Sequence, residues 1–529
     1  MEMPSNKFIS YLLPLALLCI GLYLTPLNIY GPDFSKVPGD LGDARFNNYI
    51  LEHNYKFFTG QVDKYWDAPF MYPYQNVLAF SDNLLGTAPI YSLFRLIGTD
   101  RETSFQLWLL TLFILNFICC YWALNKWSGN YVLSSTGAYI FSFSILLVGN
   151  IYNVQTYPRF IVPLVFYWCW KYFSEKQIKY FLYLSLGIVF QFFCGIYLGF
   201  LLLYALLFLF IAYIIVYRDY TLFTQFKNNK TTGAHFLILL LSLCVFYPFI
   251  KPYVAIAQNA GIPSFDEVKQ YIPTLRSYFF TDKAPVFWGV LSEHAVPVIK
   301  NWWCHFLFIG ALPWLGILAL PFVLFFKRTE KPTKKFIFFL FLSLFLSFIF
   351  CLNINGFTLY QLIYKIPGFS AMRSMNRIIN IEVMFFILIF VFVFNELSKK
   401  NLIVKWLVYS FPLLVILDNA IRPDKILKYD KMESQHRIEL VSKEIQYQYH
   451  NEYKAIAYMP DTMVNAVHLH IDVMLASQKL NIPCVNAYSG HNPGEFNDFF
   501  GSTDSLSLKK WCEYNQISTD SIQQIHPLK

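Results

Sequence analysis

The 529-residue sequence contains few charged residues, which make up only 14% of it, whereas hydrophobic residues make up 56% and aromatic residues 20%. A soluble globular protein of this size carries far more charge on its surface, so the composition excludes the ordinary soluble classes. Long apolar runs are frequent instead, and the mean hydropathy is +0.41. We therefore predict a polytopic membrane protein.

Zinc-type cysteine spacing is also absent, because the ten cysteines form no Cys-x-x-Cys pair and no Cys/His cluster. Several of them lie in or near apolar runs, and we interpret most as packing residues. Cys484 and Cys512 could form a disulfide near the C-terminus, but two unpaired buried cysteines fit the sequence equally well.

Eleven segments are apolar enough to be membrane helices, given that about 20 residues cross the hydrocarbon core. The first follows Lys7 and has no small-residue cleavage site, so we predict a retained signal anchor rather than a removed signal peptide. The predicted spans are 9–29, 105–125, 131–149, 159–173, 178–194, 196–217, 234–257, 303–326, 336–353, 377–396 and 402–420.

Positive charges alternate along these spans in a way that predicts the orientation. With a cytoplasmic N-terminus, Lys and Arg concentrate in every loop on the cytoplasmic side. The net charge of +9 has the same origin, so we predict no nucleic-acid partner. The long loop 30–104, the shorter outer loops and residues 421–529 then face outward.

Residues 421–529, called the tail below, are polar and carry most of the histidines. About 110 residues suffice for a small domain, and short apolar stretches predict an α/β or α+β fold outside the membrane. We therefore divide the chain into a transmembrane domain, 1–420, and an extracytoplasmic domain, 421–529. His468 and His470 could ligate a metal, but the sequence identifies no third or fourth ligand.

Carboxylates in the first outer loop are the leading candidates for chemistry. Asp40 lies between Gly39 and Gly42, and Asp43 directly follows Gly42, just after the first span; Asp82 follows in the same loop. Ionisable groups beside lipid are costly, and a positioned carboxylate can take a proton from a substrate. Asp43 leads because Arg45 and Asn47, candidates for substrate binding, follow it closely. The alternative is that one or more of the three caps a helix or forms a turn.

Arg373 and Arg377 form a second cluster, and they share one face if the segment before the tenth span is helical. Positive charge on the outer side opposes the general trend and favours a held anion, of which a phosphate is the obvious one. The alternative is that both arginines snorkel to lipid headgroups.

The outer segment 270–305 provides further candidates. Arg276 is a candidate for substrate binding. His294 or His305 could orient a substrate, although a satisfied interfacial histidine is the commoner situation.

Short motifs follow one another in a fixed order over about residues 1–420. They are Gly42-Asp43 after the first span, Asp67–Pro73 and Leu78–Gly86 in the outer loop, Tyr152–Gln155 before the fourth span, Leu275–Phe279 with Trp288-Gly289, and Pro367–Phe369 with Arg373 and Arg377. Their order and topology resemble those of bacterial multi-spanning glycosyltransferases of the GT-C superfamily. The sequence departs from the family at one point. In the family a Glu often lies close before a Leu-Phe-x-Gly motif, whereas here the matching motif at Leu307 is preceded by Trp302, Trp303 and His305. Glu293 is therefore not assigned the role of that Glu.

The resemblance implies an all-α polytopic GT-C-like fold in a bacterial inner membrane. It implies sugar transfer from a polyprenyl-phosphate donor to a glycan, lipid or protein acceptor on the outer face, with Asp43 as base, Asp40 beside it and Asp82 as a partner. Direct displacement predicts inversion, and Arg373 and Arg377 would stabilise the leaving phosphate. A divalent cation could assist, but lipid phosphates carry less charge than nucleotide diphosphates, and we assign no metal or other cofactor.

Two other classes of function are open to this sequence. A transporter or flippase of lipid-linked oligosaccharides should carry ionisable residues deep in its spans at matched points of repeated halves. The sequence contains few such residues and no clear repeat. A non-catalytic factor for envelope polysaccharide assembly would use the tail as its working part. Charge concentrated on one outer face favours the enzyme.

Overall fold

The computed structural model describes residues 7–221, 229–295, 301–325, 329–460 and 465–528. Its longer helices are α1 Lys7–Leu22, α2 Asp43–Phe58, α3 Ala88–Leu96, α4 Arg101–Ser128, α5 Tyr131–Phe143, α6 Ile161–Glu175, α7 Ile178–Cys194, α8 Ile196–Tyr217, α9 Asn229–Asn259, α10 Ala311–Phe325, α11 Lys331–Phe350, α12 Ile379–Ser398, α13 Leu402–Asp418, α14 Lys431–Gln448, α15 Ala466–Leu480, α16 Phe496–Ser502 and α17 Ser505–Tyr514. The short strands are β1 Lys36–Pro38, β2 Lys428–Asp430, β3 Ala455–Tyr458 and β4 Ile522–Ile525.

Each of the eleven predicted spans contains a helix, and the chain is a multi-pass membrane protein. Within the described ranges, seven helical segments are long and apolar enough to cross a membrane: Ser10–Tyr30, Arg101–Ser128, Tyr131–Gly149, Ile196–Tyr217, Lys230–Asn259, Lys331–Phe350 and Met375–Ser398. The helices α6, α7, α10 and α13 have 15 to 17 residues. At 1.5 Å per residue they are shorter than a hydrocarbon core of about 30 Å.

The largest boundary difference concerns the eighth predicted span, which was expected to begin at residue 303. Helix α10 begins at Ala311 instead, after a separate 3-10 helix over Trp302–His305. Between them Gly310 has a φ of +92°, a left-handed conformation that interrupts a helix and that glycine adopts without strain.

Helix α12 lies at the centre of the bundle, where nearly all of its side chains are buried. It packs against α5, α8, α10, α11 and α13, which is the situation expected of a helix that is apolar on every side. Its Glu382 is fully buried, and its carboxylate accepts hydrogen bonds from Ser347 Oγ at 2.7 Å and Tyr278 OH at 3.0 Å. This buried carboxylate is therefore satisfied within the bundle.

The tail contains two parallel strands, β3 and β4, with α14, α15 and α17 around them. It shares a hydrophobic core with the first outer loop, because Phe46, Ile50 and Phe70 lie in the same buried cluster as Val485 and Trp511. Strands β1 and β2 also join the two segments through an antiparallel pairing. The predicted boundary at residue 421 thus separates two segments that pack as one apolar core.

The cysteines and histidines of the tail were candidates for a disulfide and for metal ligands. Cys484 and Cys512 are buried free thiols, so the structure has the unpaired alternative rather than a disulfide. His470 is fully buried, and its Nδ1 accepts a hydrogen bond from the Ala487 amide at 3.0 Å. Among the described residues, no three His, Cys, Asp or Glu side chains are grouped as metal ligands would be.

Candidate active site

A cavity of about 610 Å³ lies where loop 30–104, the tail, the start of α8, the C-terminal half of α9 and the segment before α12 meet. Its polar lining comes from separate parts of the chain: Asp43, Asn47, Asp82, Gln155, Arg373, Arg377, Tyr488 and His491. Its apolar lining includes Ile196 and Phe200 of α8 and Phe246, Ile250 and Val254 of α9. One space therefore joins a charged region to an apolar wall formed by two membrane helices.

Asp43 is the first residue of α2 and is half-buried at the cavity. Its Oδ1 accepts a hydrogen bond from Tyr488 OH at 2.5 Å, and its backbone carbonyl accepts one from Asn47 Nδ2 at 2.8 Å. The same Asn47 amide group donates to Gln155 Oε1 at 3.2 Å. A contact from the tail thus positions this carboxylate, and Asn47 links the first turn of α2 to the loop before α6.

Asp40 caps a helix, which was the alternative to a catalytic role for the three carboxylates. Its Oδ1 accepts a hydrogen bond from the Ala44 amide at 3.1 Å, in the first turn of α2. Burial and then the neighbouring charge of Asp43 raise the pKa of Asp40. It is not among the described residues that line the cavity.

Asp82 lines the cavity, but its carboxylate is buried against the start of α8. Its Oδ1 accepts from the Tyr197 amide at 3.3 Å. Burial raises the pKa of Asp82, and the charge of nearby Arg377 opposes that rise. The Asp82 side chain thus caps the start of α8 and also lies near Arg377.

Arg373 and Arg377 both line the cavity. The Arg377 guanidinium donates to Asn153 Oδ1 at 2.8 Å and lies 4.8 Å from the ring centre of Tyr197. Arg373 lies 5.6 Å from the ring centre of Tyr271, and its ion pair with Glu267 is long, at 3.5 Å. Neither guanidinium is held by a close carboxylate among the described residues, so both retain charge for an anion.

Two predicted substrate-binding arginines do not line this cavity. Arg45 is 1% exposed, and its Nη1 forms an ion pair with Asp472 of α15 at 2.6 Å. Asp472 also accepts from Arg437 Nη2 at 2.5 Å. Arg276 is exposed and is not among the described residues that line the cavity. The position of Arg45 indicates that it attaches the tail to α2.

Replacing Asp472 with alanine would leave the Arg45 guanidinium buried without its partner. We expect this to destabilise the packing of the tail on the outer loop by about 3–5 kcal/mol. Thermal unfolding and protease resistance of the tail would measure the loss. The matched control is Glu439→Ala, which breaks an exposed ion pair with Lys479 and should cost less than about 1 kcal/mol. Equal effects of the two substitutions would contradict this role.

His305 of segment 270–305 is not among the described residues that line the cavity. His305 is buried, and its Nδ1 is 2.8 Å from Ser277 Oγ, as expected of a satisfied interfacial histidine. The side chain of His294 lies outside the described residues. His491 of the tail, in contrast, is at the cavity and its Nε2 is 3.1 Å from the Ala260 carbonyl.

Tyr488 is a cavity residue that the sequence did not identify as a candidate. Burial first, and then the charge of Asp43, raise its pKa, so the phenol stays protonated as a donor to the carboxylate. Its ring also packs edge-on against Phe46 at 5.6 Å. It lies 445 residues from Asp43 along the chain, and no periodicity signals a contact of that range. Gln155 had a weak signal, since it ends one of the recognised short motifs.

No protein-family model matches the sequence, and a search of curated proteins gives no match. Among solved structures, the apo oligosaccharyltransferase of Archaeoglobus fulgidus is similar over 98% of this chain and 70% of that one, with a TM-score of 0.51 and 12% identity. ArnT of Cupriavidus metallidurans, bound to undecaprenyl phosphate, covers 91% of this chain and 90% of its own, with a TM-score of 0.41 and 11% identity. The likeness to the oligosaccharyltransferase shows a shared fold, in agreement with the GT-C-like fold that the resemblance implied.

Proposed function

We propose that the protein is an inverting glycosyltransferase that moves a sugar from a polyprenyl-phosphate donor to an acceptor at the membrane surface. The observation that carries the proposal is the single cavity that contains a positioned carboxylate, two arginines and a wall of membrane-helix side chains. A lipid-linked phosphate has the matching chemistry, because its headgroup is anionic and its chain is apolar.

The donor phosphate binds at Arg373 and Arg377 in this proposal. Both guanidinium groups line the cavity and lie against neighbouring rings, and the ion pair of Arg373 with Glu267 is long, at 3.5 Å. As the bond from the sugar to the phosphate breaks, negative charge grows on the phosphate oxygens. Fixed cations lower the barrier because they stabilise that charge in the transition state more than in the bound donor.

The polyprenyl chain follows the apolar side of the cavity. Phe246, Ile250 and Val254 are each one turn apart, so they form one face of α9 opposite Phe200 of α8. On the same helix, Leu240 and Tyr247 are exposed on the surface of the bundle. A chain leaving the cavity between α8 and α9 can therefore pass into surrounding lipid without crossing a polar barrier.

Asp43 is the proposed general base. It takes the proton of an acceptor hydroxyl as the hydroxyl oxygen attacks the anomeric carbon, while the bond between that carbon and the phosphate oxygen breaks. Displacement from the opposite side inverts the anomeric configuration. With the eleven helices as spans and a cytoplasmic N-terminus, the reaction takes place on the outer face of the bacterial inner membrane, in agreement with the charge asymmetry of the loops.

Tyr488 acts as a positioning residue for that base. Tyr488→Phe keeps the ring against Phe46 but removes the hydrogen bond to Asp43, so we expect kcat to fall about 10-fold with an unchanged KM for the donor. The control Tyr447→Phe removes a hydroxyl from an exposed tail residue and should leave kcat unchanged. A rise in KM without a loss of kcat would contradict the positioning role.

A donor-panel assay tests the function itself. Purified protein would be incubated with membrane extract and a set of radiolabelled polyprenyl-phosphate sugars, with the corresponding nucleotide sugars as parallel donors. Label should enter acceptor material from a lipid-phosphate donor and not from a nucleotide donor. Transfer from none of the lipid donors, or only from nucleotide sugars, would refute the proposal.

A further inference from the structure

A second cavity, of about 780 Å³, lies at the opposite end of the bundle from the candidate active site. Helix α8 connects the two, since its first residue, Ile196, lines the active-site cavity and its last residue, Tyr217, lines this one. The 22 residues of α8 extend over roughly 33 Å, about one hydrocarbon thickness. The second cavity therefore belongs to the other membrane surface, which the loop charges assign to the cytoplasm.

Aromatic rings form the walls of this cavity. Phe336 of α11 lies 4.5 Å from Trp170 and 4.8 Å from Phe392, measured between ring centroids, and Trp127 lies 5.9 Å from Phe392. These rings come from α4, α6, α11 and α12, so the cavity is built between membrane helices rather than in a surface loop. The two tryptophans are of a type that is enriched at the boundary between lipid and water.

Lysines surround these aromatic walls. Lys176, Lys331, Lys335 and Lys399 line the cavity together with two carboxylates, Asp219 and Glu396, which leaves a formal excess of two positive charges. Some of these lysines form ion pairs with the two carboxylates and others do not. The lysines without such a pair can bind an anion.

Both carboxylates are already engaged. Asp219 accepts from Lys176 Nζ at 2.7 Å and from Tyr213 OH at 2.8 Å. Glu396 forms an ion pair with Lys400 and a longer one, at 3.5 Å, with Lys399. The carboxylates thus neutralise lysines that directly follow α12 and α6, but not those of α11.

Lys331 and Lys335 lie one turn apart on α11, and within the described ranges neither has a carboxylate at ion-pair distance. The Lys335 ammonium is 4.7 Å from the ring centre of Tyr217, which directs it toward the cavity. Two cations above aromatic walls at the end of membrane helices match a ligand with an anionic head and an apolar body.

We propose that this cavity binds the phosphate headgroup of an anionic phospholipid, with Lys331 and Lys335 on the phosphate and the Trp170, Phe336 and Phe392 rings against the glycerol and first acyl groups. A lipid fits better than a soluble phosphate compound because the walls are apolar and the cavity opens where the helices leave the membrane. The site is separate from the proposed transfer reaction and does not depend on it.

Lipid binding to the purified full-length protein tests this proposal. Native mass spectrometry from mixed micelles would count bound dioleoylphosphatidylglycerol, with dioleoylphosphatidylcholine as the uncharged comparison. The double variant Lys331→Gln/Lys335→Gln should weaken phosphatidylglycerol binding roughly 10- to 30-fold, given about 1 kcal/mol for each basic residue near anionic lipid. The charge-keeping variant Lys331→Arg/Lys335→Arg should retain most of the binding.

The matched control is Lys334→Gln/Lys179→Gln, which removes two lysines that do not line the cavity. It should change binding less than twofold, and a loss equal to that of the cavity variant would show a general surface-charge effect and overturn the proposal. Displacement of phosphatidylglycerol by millimolar inorganic phosphate would also overturn it, because the site would then take soluble phosphate compounds. Melting temperatures in detergent would confirm that each variant is folded.

Discussion

The substitution Asp43→Asn is expected to lower kcat for sugar transfer by a factor of roughly 10² to 10⁴, the usual contribution of a general base. The amide has nearly the size of the carboxylate and can still accept a hydrogen bond from Tyr488. It cannot take a proton from the acceptor hydroxyl. The fold and donor binding should therefore survive while the chemical step is lost.

The nearby Asp40→Asn variant is the matched control. Asp40 caps the first turn of α2 through its Oδ1, and asparagine is an equally good cap. We expect less than a threefold change in kcat. If both variants lose activity equally, or if Asp43→Asn is as active as wild type while folded, Asp43 is not the base.

The double variant Arg373→Gln/Arg377→Gln is expected to have the second large effect. Removing one donor to a developing oxyanion costs about 2.7–4 kcal/mol in well-studied enzymes. Two losses at the leaving phosphate should lower kcat/KM by about 10³-fold or more, because the same groups bind the donor and stabilise the charge that it develops.

Arg276→Gln provides the comparison for that variant, because Arg276 is exposed and is not among the described cavity-lining residues. Steady-state kinetics with the lipid-linked donor should show no change for Arg276→Gln. Loss of kcat/KM by the same factor in both proteins would mean that the arginines act through overall charge or folding.

Much of the bundle was predictable from the sequence, because apolar runs of about 20 residues have few alternatives in a membrane. Charge asymmetry placed Asp43, Asp82, Arg373 and Arg377 on one face, and the structure brings all four to one cavity. Their roles in catalysis and binding stay predictions.

Long-range contacts of the tail were not predictable in the same way. The sequence assigned Arg45 to substrate because it follows Asp43 closely. The partner of Arg45 is instead Asp472, 427 residues away, and Tyr488 reaches Asp43 over a similar separation. Neither of these two contacts could be predicted from nearby sequence, because hydrophobic periodicity identifies helices and strands but not which of them pack together.

The most direct test of the proposed displacement is the anomeric configuration of the transferred sugar. A polyprenyl-phosphate donor of known configuration would be converted with the purified protein, and the configuration of the product would be determined by NMR from its anomeric proton coupling. Direct attack by an acceptor activated at Asp43 predicts inversion in every product molecule. Retention would require a covalent or other double-displacement route and would contradict it.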